Sequence, residues 1–153
     1  MANTYSQIYL QFVFAVQNRV SLISPDWEED LRKYISGIVT KNGHKLLAVN
    51  GTANHLHLFI GYSINQSVPD LMKDVKRSSS LWVNSNQLTS GKFNWQEGYG
   101  AFSYSRSHID KVIKYIANQK EHHTKLTFHD EYRKILDNFN VQYDGKYILE
   151  DVR

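Results

Sequence analysis

Apolar and polar residues alternate in part from Tyr5 to Val16, and aromatic and β-branched residues dominate the run, which predicts a long strand. Beyond Ser24-Pro25 the apolar positions change to helical spacing: Trp27, Leu31, Tyr34, Ile35, Ile38 and Val39 recur on one face. Pro25 suits a first helical position and Gly43 a stop. Lys45 to Asn50 and His55 to Tyr62 read as two further strands, joined as a hairpin through the turn-like Gly51 to Asn54. Ser67 is placed to cap a second helix with Leu71, Val75, Ser78 and Trp82 as its spine. Phe93 to Ser105 is strand-like but interrupted at Gly98 and Gly100, which implies a bulge or kink. Ser107 with Asp110 predicts a capping box for a third helix reaching about Glu121, and Thr127 with Asp130 does so for a fourth ending near Phe139. Asp144-Gly145 predicts a tight turn in the tail.

The element order is β-α-β-β-α-β followed by extra helices. It predicts an α+β, ferredoxin-like (split βαβ) antiparallel sheet with helices on one face, plus C-terminal helices. At 153 residues the chain fits one domain spanning 1–153. Many unrelated activities use this fold, so function has to come from particular side chains.

Composition narrows the setting. Hydrophobic residues make up 41%, enough for an ordinary core. With no cysteine, disulfides and thiolate metal sites are excluded. No stretch approaches the roughly 20 apolar residues of a membrane helix, and the first residues lack the basic start and apolar run of a signal peptide, so a cytoplasmic protein is expected. A net charge of +3, with pI near 9.0, suits a polyanionic partner.

Two constellations carry chemistry. In HLHLFIGY, His55 and His57 stand two residues apart on a strand, so both imidazoles share one sheet face while Leu56, Leu58 and Ile60 take the other. Two such rings can share a cation, given a third ligand and an open position. In SHIDKVIKYIANQKEHH, a continuous helix puts Ile109, Val112, Ile113 and Ile116 in one buried stripe. Tyr115 and Gln119 are then i, i+4 neighbours on its flank, between core and solvent.

These motifs resemble the HUH superfamily of nucleases, and within it the single-tyrosine transposases of insertion sequences (the IS200-like family). The family's His–hydrophobic–His motif stands here as His55-Leu56-His57 and its Tyr-x-x-x-Gln as Tyr115-Ile116-Ala117-Asn118-Gln119. The stretches from Trp95 to His123 and from Phe128 to Leu149 also read like the family, so the resemblance covers nearly the whole chain. It implies that Tyr115 attacks a DNA phosphate to form a 5′-phosphotyrosine and that His55, His57 and Gln119 hold a divalent cation. Two nitrogens and an oxygen suit Mn²⁺ and can accept Mg²⁺. It further implies single-stranded DNA with hairpin ends as substrate, and a homodimer whose tyrosine helix serves the partner's histidines.

Lys73, Lys76 and Arg77, with Arg106, Lys111 and Lys114, are candidate contacts to the DNA backbone. Trp95, Tyr99 and Tyr104 are candidates for stacking on bases or for the core. Lys111, Lys114, His108 and His122 are the groups placed to help deprotonate Tyr115. The rival readings are a non-catalytic RNA- or DNA-binding module, for which EGYGAFSYS echoes an RNA-contacting strand, and another HUH endonuclease such as a replication initiator or relaxase. A hydrolytic metalloenzyme using His122 or His129 is weaker, because no acidic residue has an evident position beside the histidine pair.

Overall fold

Residues 4–19, 22–122 and 127–142 are described by a computed structural model. β1 (Tyr9–Ala15), α1 (Glu28–Lys41), β2 (Lys45–Thr52), β3 (His55–Gly61), α2 (Val68–Ser85) and β4 (Gly100–Tyr104) follow in the predicted order. The four strands form one sheet in the order β2-β3-β1-β4, with every neighbouring pair antiparallel. Then come α3 (Ile109–Ala117), α4 (Gln119–His122) and α5 (Phe128–Asn138).

β1 begins at Tyr9, not Tyr5. Tyr9 lies opposite Gly61 on one side and Tyr104 on the other, where both partner strands end. The hairpin has only Ala53 and Asn54 at its turn, because Gly51 and Thr52 remain in the ladder. Ser67 caps α2 as expected, its hydroxyl accepting from the Asp70 N–H, and Thr127 caps α5 in the same way through Asp130. No side chain caps the start of α3. The Ser105 and Ser107 hydroxyls bond each other and His108 Nδ1 instead, and a 3-10 turn over Arg106–His108 leads in.

Register divides the sheet into two faces. Phe12 opposite Leu58 and Phe14 opposite Leu56 point to α1 and α2, and form the larger apolar cluster with Leu31, Ile35, Leu71 and Val75. On α2 the buried positions in the second half are Ser79 and Val83 in place of Ser78 and Trp82. Trp82 is half-buried on the flank, with its ring 5.3 Å from that of Tyr34. The other face carries Gln11, Val13, Ala15, His55, His57 and Phe59, and there the C-terminal helices pack. The interruption before β4 is real: Val16 bridges Trp95, Gly98 takes φ +81°, and the ladder resumes at Gly100. The Asp144-Gly145 turn lies outside the described residues. Among those residues no helix is long and apolar enough to cross a membrane.

Gly51 matters for space. A Cβ there would meet the His55 carbonyl oxygen at 2.0 Å and Leu56 Cα at 2.9 Å. Both are backbone atoms of the neighbouring strand, so they yield only if the hairpin distorts. Gly51→Ala should therefore cost about 2 kcal/mol of stability, read as a lower Tm in thermal denaturation; an unchanged Tm would mean that the hairpin opens freely.

Candidate active site

β3 delivers both imidazoles to the face away from α1 and α2, and neither His55 nor His57 has exposed surface. Each ring is oriented by a partner on its outer nitrogen. His55 Nδ1 lies 2.8 Å from Asn54 Oδ1 and 2.9 Å from Thr52 Oγ1. These contacts hold Nδ1 outward and turn Nε2 inward. His57 Nδ1 accepts from Gln11 Nε2 at 2.8 Å, and Tyr104 donates its hydroxyl to Gln11 Oε1 at 2.8 Å. His57 Nε2 then donates to Glu131 Oε1 at 3.0 Å.

The helix expected from its cap at Ser107 to about Glu121 breaks at Asn118, which divides it into α3 and α4. The break corrects one expectation. Gln119 does not lie at the boundary between core and solvent but is fully buried. Its Oε1 lies 3.1 Å from His55 Nε2, and its Nε2 donates to Glu131 Oε2 at 3.1 Å. Tyr115, on the last turn of α3, is half-buried as expected, with its ring edge-on to His57 at 5.9 Å between centroids.

Glu131 is the residue that the sequence reading missed. It lies on α5, is 1% exposed, and overturns the view that no acid stands beside the histidines. Its Oε1 is 3.0 Å from His57 Nε2 and 3.5 Å from His55 Nε2, and its Oε2 accepts from the Tyr115 hydroxyl and from Gln119. Phe128, one turn earlier on α5, stacks on His55 at 4.0 Å. The missed signal was periodicity. Phe128, Glu131, Tyr132, Ile135 and Leu136 form one buried stripe at i, i+3, i+4, i+7 and i+8, and an acid in such a stripe calls for a partner. Gln11 carries the same signal, as a buried amide between Tyr9 and Val13 on one strand face.

The arrangement asks for positive charge. Gln119 Oε1 can only accept and lies 3.1 Å from His55 Nε2, and the Glu131 carboxylate lies 3.5 Å from the same nitrogen. Such a set is stable only around a proton or a cation. One ligand atom from each of His55, His57 and Glu131 lies within 4.8 Å of the others, so the group can hold a metal ion. Burial and the adjacent Glu131 charge hold the Tyr115 phenol well above the ordinary tyrosine range, so its proton stays on in the resting state. Within this chain the Tyr115 ring lies beside His57.

The other predicted residues scatter. Arg106, Lys111 and Lys114 are exposed on the face that carries the site. Lys73 and Arg77 are exposed on α2, across the sheet. Lys76 is occupied: its ammonium donates to the Gln96 and Gly98 carbonyls at 2.7 Å each and lies over the Tyr99 ring, and burial lowers its pKa. Trp95 is core, packed on Phe14 and donating its indole N–H to Ser79 Oγ at 2.8 Å. Tyr104 is held by Gln11, and Tyr99 packs edge-on to Phe12. His108 is bonded to the two serines before it, so among the described side chains the phenol meets Glu131 and not His108.

A family model described as "Transposase IS200 like" matches residues 4–119. The ISDra2 transposase TnpA of Deinococcus radiodurans is 22% identical over 120 residues, 75% of this chain and 86% of that protein. A crystal structure of a candidate transposase from Deinococcus radiodurans R1 matches with a TM-score of 0.61 at 20% identity, over 78% of this chain and 95% of that one. A REP-associated tyrosine transposase bound to a REP hairpin matches with a TM-score of 0.60 at 15% identity, over 94% of this chain and 91% of that one. At these identities the two structures speak for the fold.

Lys76 and Lys73 separate a structural lysine from a surface one. Lys76→Met should lose about 1 kcal/mol, because the half-buried Gln96 carbonyl and the exposed Gly98 carbonyl lose their donor; Lys73→Met should stay within about 0.5 kcal/mol of the parent. Equal chemical denaturation midpoints for the two variants would refute this assignment.

Proposed function

The chain belongs to the IS200-like transposase family, and on that premise we propose that it nicks and rejoins single-stranded DNA, with Tyr115 as nucleophile and His55, His57 and Gln119 as ligands of a divalent cation, Mg²⁺ or Mn²⁺. One observation carries this reading: a single buried carboxylate, Glu131, faces both imidazoles with one oxygen and accepts from the Tyr115 hydroxyl with the other. Nucleophile and cation position are thus next to each other. A non-catalytic binding module has no use for that convergence.

When bound, the cation supplies Lewis-acid stabilisation of the charge that builds on the phosphate oxygens. The protein's own groups do the rest. His55 presents Nε2 inward because Asn54 and Thr52 fix its other nitrogen. An end-for-end turn of the Gln11 amide does the same for His57: Oε1 then accepts an Nδ1 proton, and Nε2 is released as a ligand. The Tyr115 oxygen attacks phosphorus as its proton passes to Glu131, the P–O3′ bond breaks, and the departing oxygen takes up a proton to become a 3′-hydroxyl. The 5′-phosphotyrosine keeps the bond energy. Attack by a second 3′-hydroxyl reverses the sequence and returns a proton to Tyr115, so no nucleotide cofactor is required.

A phosphate reaches such a site most readily without a complementary strand beside it. Arg106, Lys111 and Lys114 supply phosphate contacts on the same side of the sheet. The REP-associated neighbour is bound to a REP hairpin, which supports hairpin-ended DNA as the partner here.

Labelled single-stranded DNA carrying the hairpin ends, incubated with Mn²⁺, should give a covalent protein–DNA band that a chelator abolishes. Tyr115→Phe should remove the band and leave DNA binding within about twofold; an adduct in the Phe variant would assign the nucleophile elsewhere. Glu131→Gln keeps a hydrogen-bond acceptor but loses the charge, and adduct formation should slow on the order of 100-fold. Because each chain holds Tyr115 beside its own His57, mixing Tyr115→Phe with His57→Ala protein should restore nothing; restored activity would mean that subunits exchange helices.

A further inference from the structure

Gln119 directly follows the break at Asn118, and that break has an anchor on another element. Ile116 and Ala117 are among the last four carbonyls of α3, which a helix cannot satisfy by itself. The Asn50 side-chain amide donates to both, at 3.1 Å to Ile116 O and 3.2 Å to Ala117 O. Asn50 sits on the edge strand β2, opposite His57 in the ladder, so one residue fixes the end of α3 against the strand pair that carries the histidines. Its Oδ1 in turn accepts from Arg32 of α1 at 3.4 Å, and Arg32 pairs with Glu28 at 3.4 Å. Glu28 also takes Lys120, the residue after Gln119, at 2.7 Å. The break is therefore held on both sides, its carbonyls by Asn50 and the following residue by Glu28.

We propose that Asn50 is the positioning residue for Gln119. It ends α3 at the point that aims the Gln119 carbonyl at the cation held with His55 and His57. This inference rests on the reading of Gln119 as a metal ligand. The chemistry requires a donor at position 50. An aspartate has the same shape, but its carboxylate faces two carbonyl oxygens and repels them, while its charge pairs with Arg32 and keeps the fold.

The test is Mn²⁺ binding, measured by titration with MnCl₂ in the absence of DNA, for the parent, Asn50→Ala, Asn50→Asp, Gln119→Ala and the double variant Asn50→Asp/Gln119→Ala. Asn50→Asp should weaken Mn²⁺ binding about tenfold, at least as much as Asn50→Ala, with little change in Tm. The double variant should bind no more weakly than Gln119→Ala alone, because both changes act through the same carbonyl. If Gln119→Ala weakens binding and neither Asn50 variant does, the positioning role is overturned. Losses that multiply in the double variant overturn it as well. If Gln119→Ala itself leaves Mn²⁺ affinity unchanged, the ligand set is at fault instead. Should Asn50→Asp fail to fold, Asn50→Ala decides the question alone, since it removes the donor without adding charge.

Discussion

A carboxylate taken out of water costs several kcal/mol unless proton donors or a cation surround it. Glu131 meets that requirement by gathering His57 from β3, Tyr115 from α3 and Gln119 from α4 around one side chain. The rest of α5 packs through Phe128, Tyr132, Ile135 and Leu136, apolar contacts that tolerate small slips. The carboxylate does not tolerate them. A helix shifted by one residue would bury an unpaired charge, so Glu131 sets the register of α5 as well as contributing to the site.

The two faces of the sheet divide the work. Towards α1 and α2 lies one large, continuous apolar cluster, which is where most of the burial free energy resides. Towards α3 and α5 the apolar contacts form two smaller clusters, one around Val13, Phe102 and Tyr132 and one around Phe59, Val112 and Ile116. The histidine pair lies between them. A polar site there leaves the larger core intact, and this fits with relatives that keep the fold at 15% to 20% identity.

Short-range signals were legible in the sequence. Strict alternation around His55 and His57 gave both strand and face, and Ser67 and Thr127 cap the helices that they precede. The Ser107 capping box failed locally, because that hydroxyl bonds Ser105 and His108; other misses depend on distant partners. Nothing local distinguishes the helix break at Asn118 from a continuing helix; the donor to its carbonyls comes from a strand 66 residues away. A projection that assumes a continuous helix therefore leaves Gln119 half-exposed when it is buried. Lys76 looked like its exposed neighbours because the carbonyls that take its ammonium belong to a kinked segment 20 to 22 residues on. Glu131 was the exception. Its place within an apolar stripe was visible, but a stripe says that an acid is buried without saying what it meets.

Atoms without exposed surface cannot touch a polymer, and His55, His57 and Gln119 have none. α5 closes over them, with the Phe128 ring stacked on His55 and the Glu131 carboxylate against His57. Any ligand that must touch those atoms directly binds in proportion to the fraction of molecules in which they are uncovered. Tighter packing of α5 would make the folded protein more robust and lower that fraction, so the helix that completes the cluster also sets how often it is uncovered.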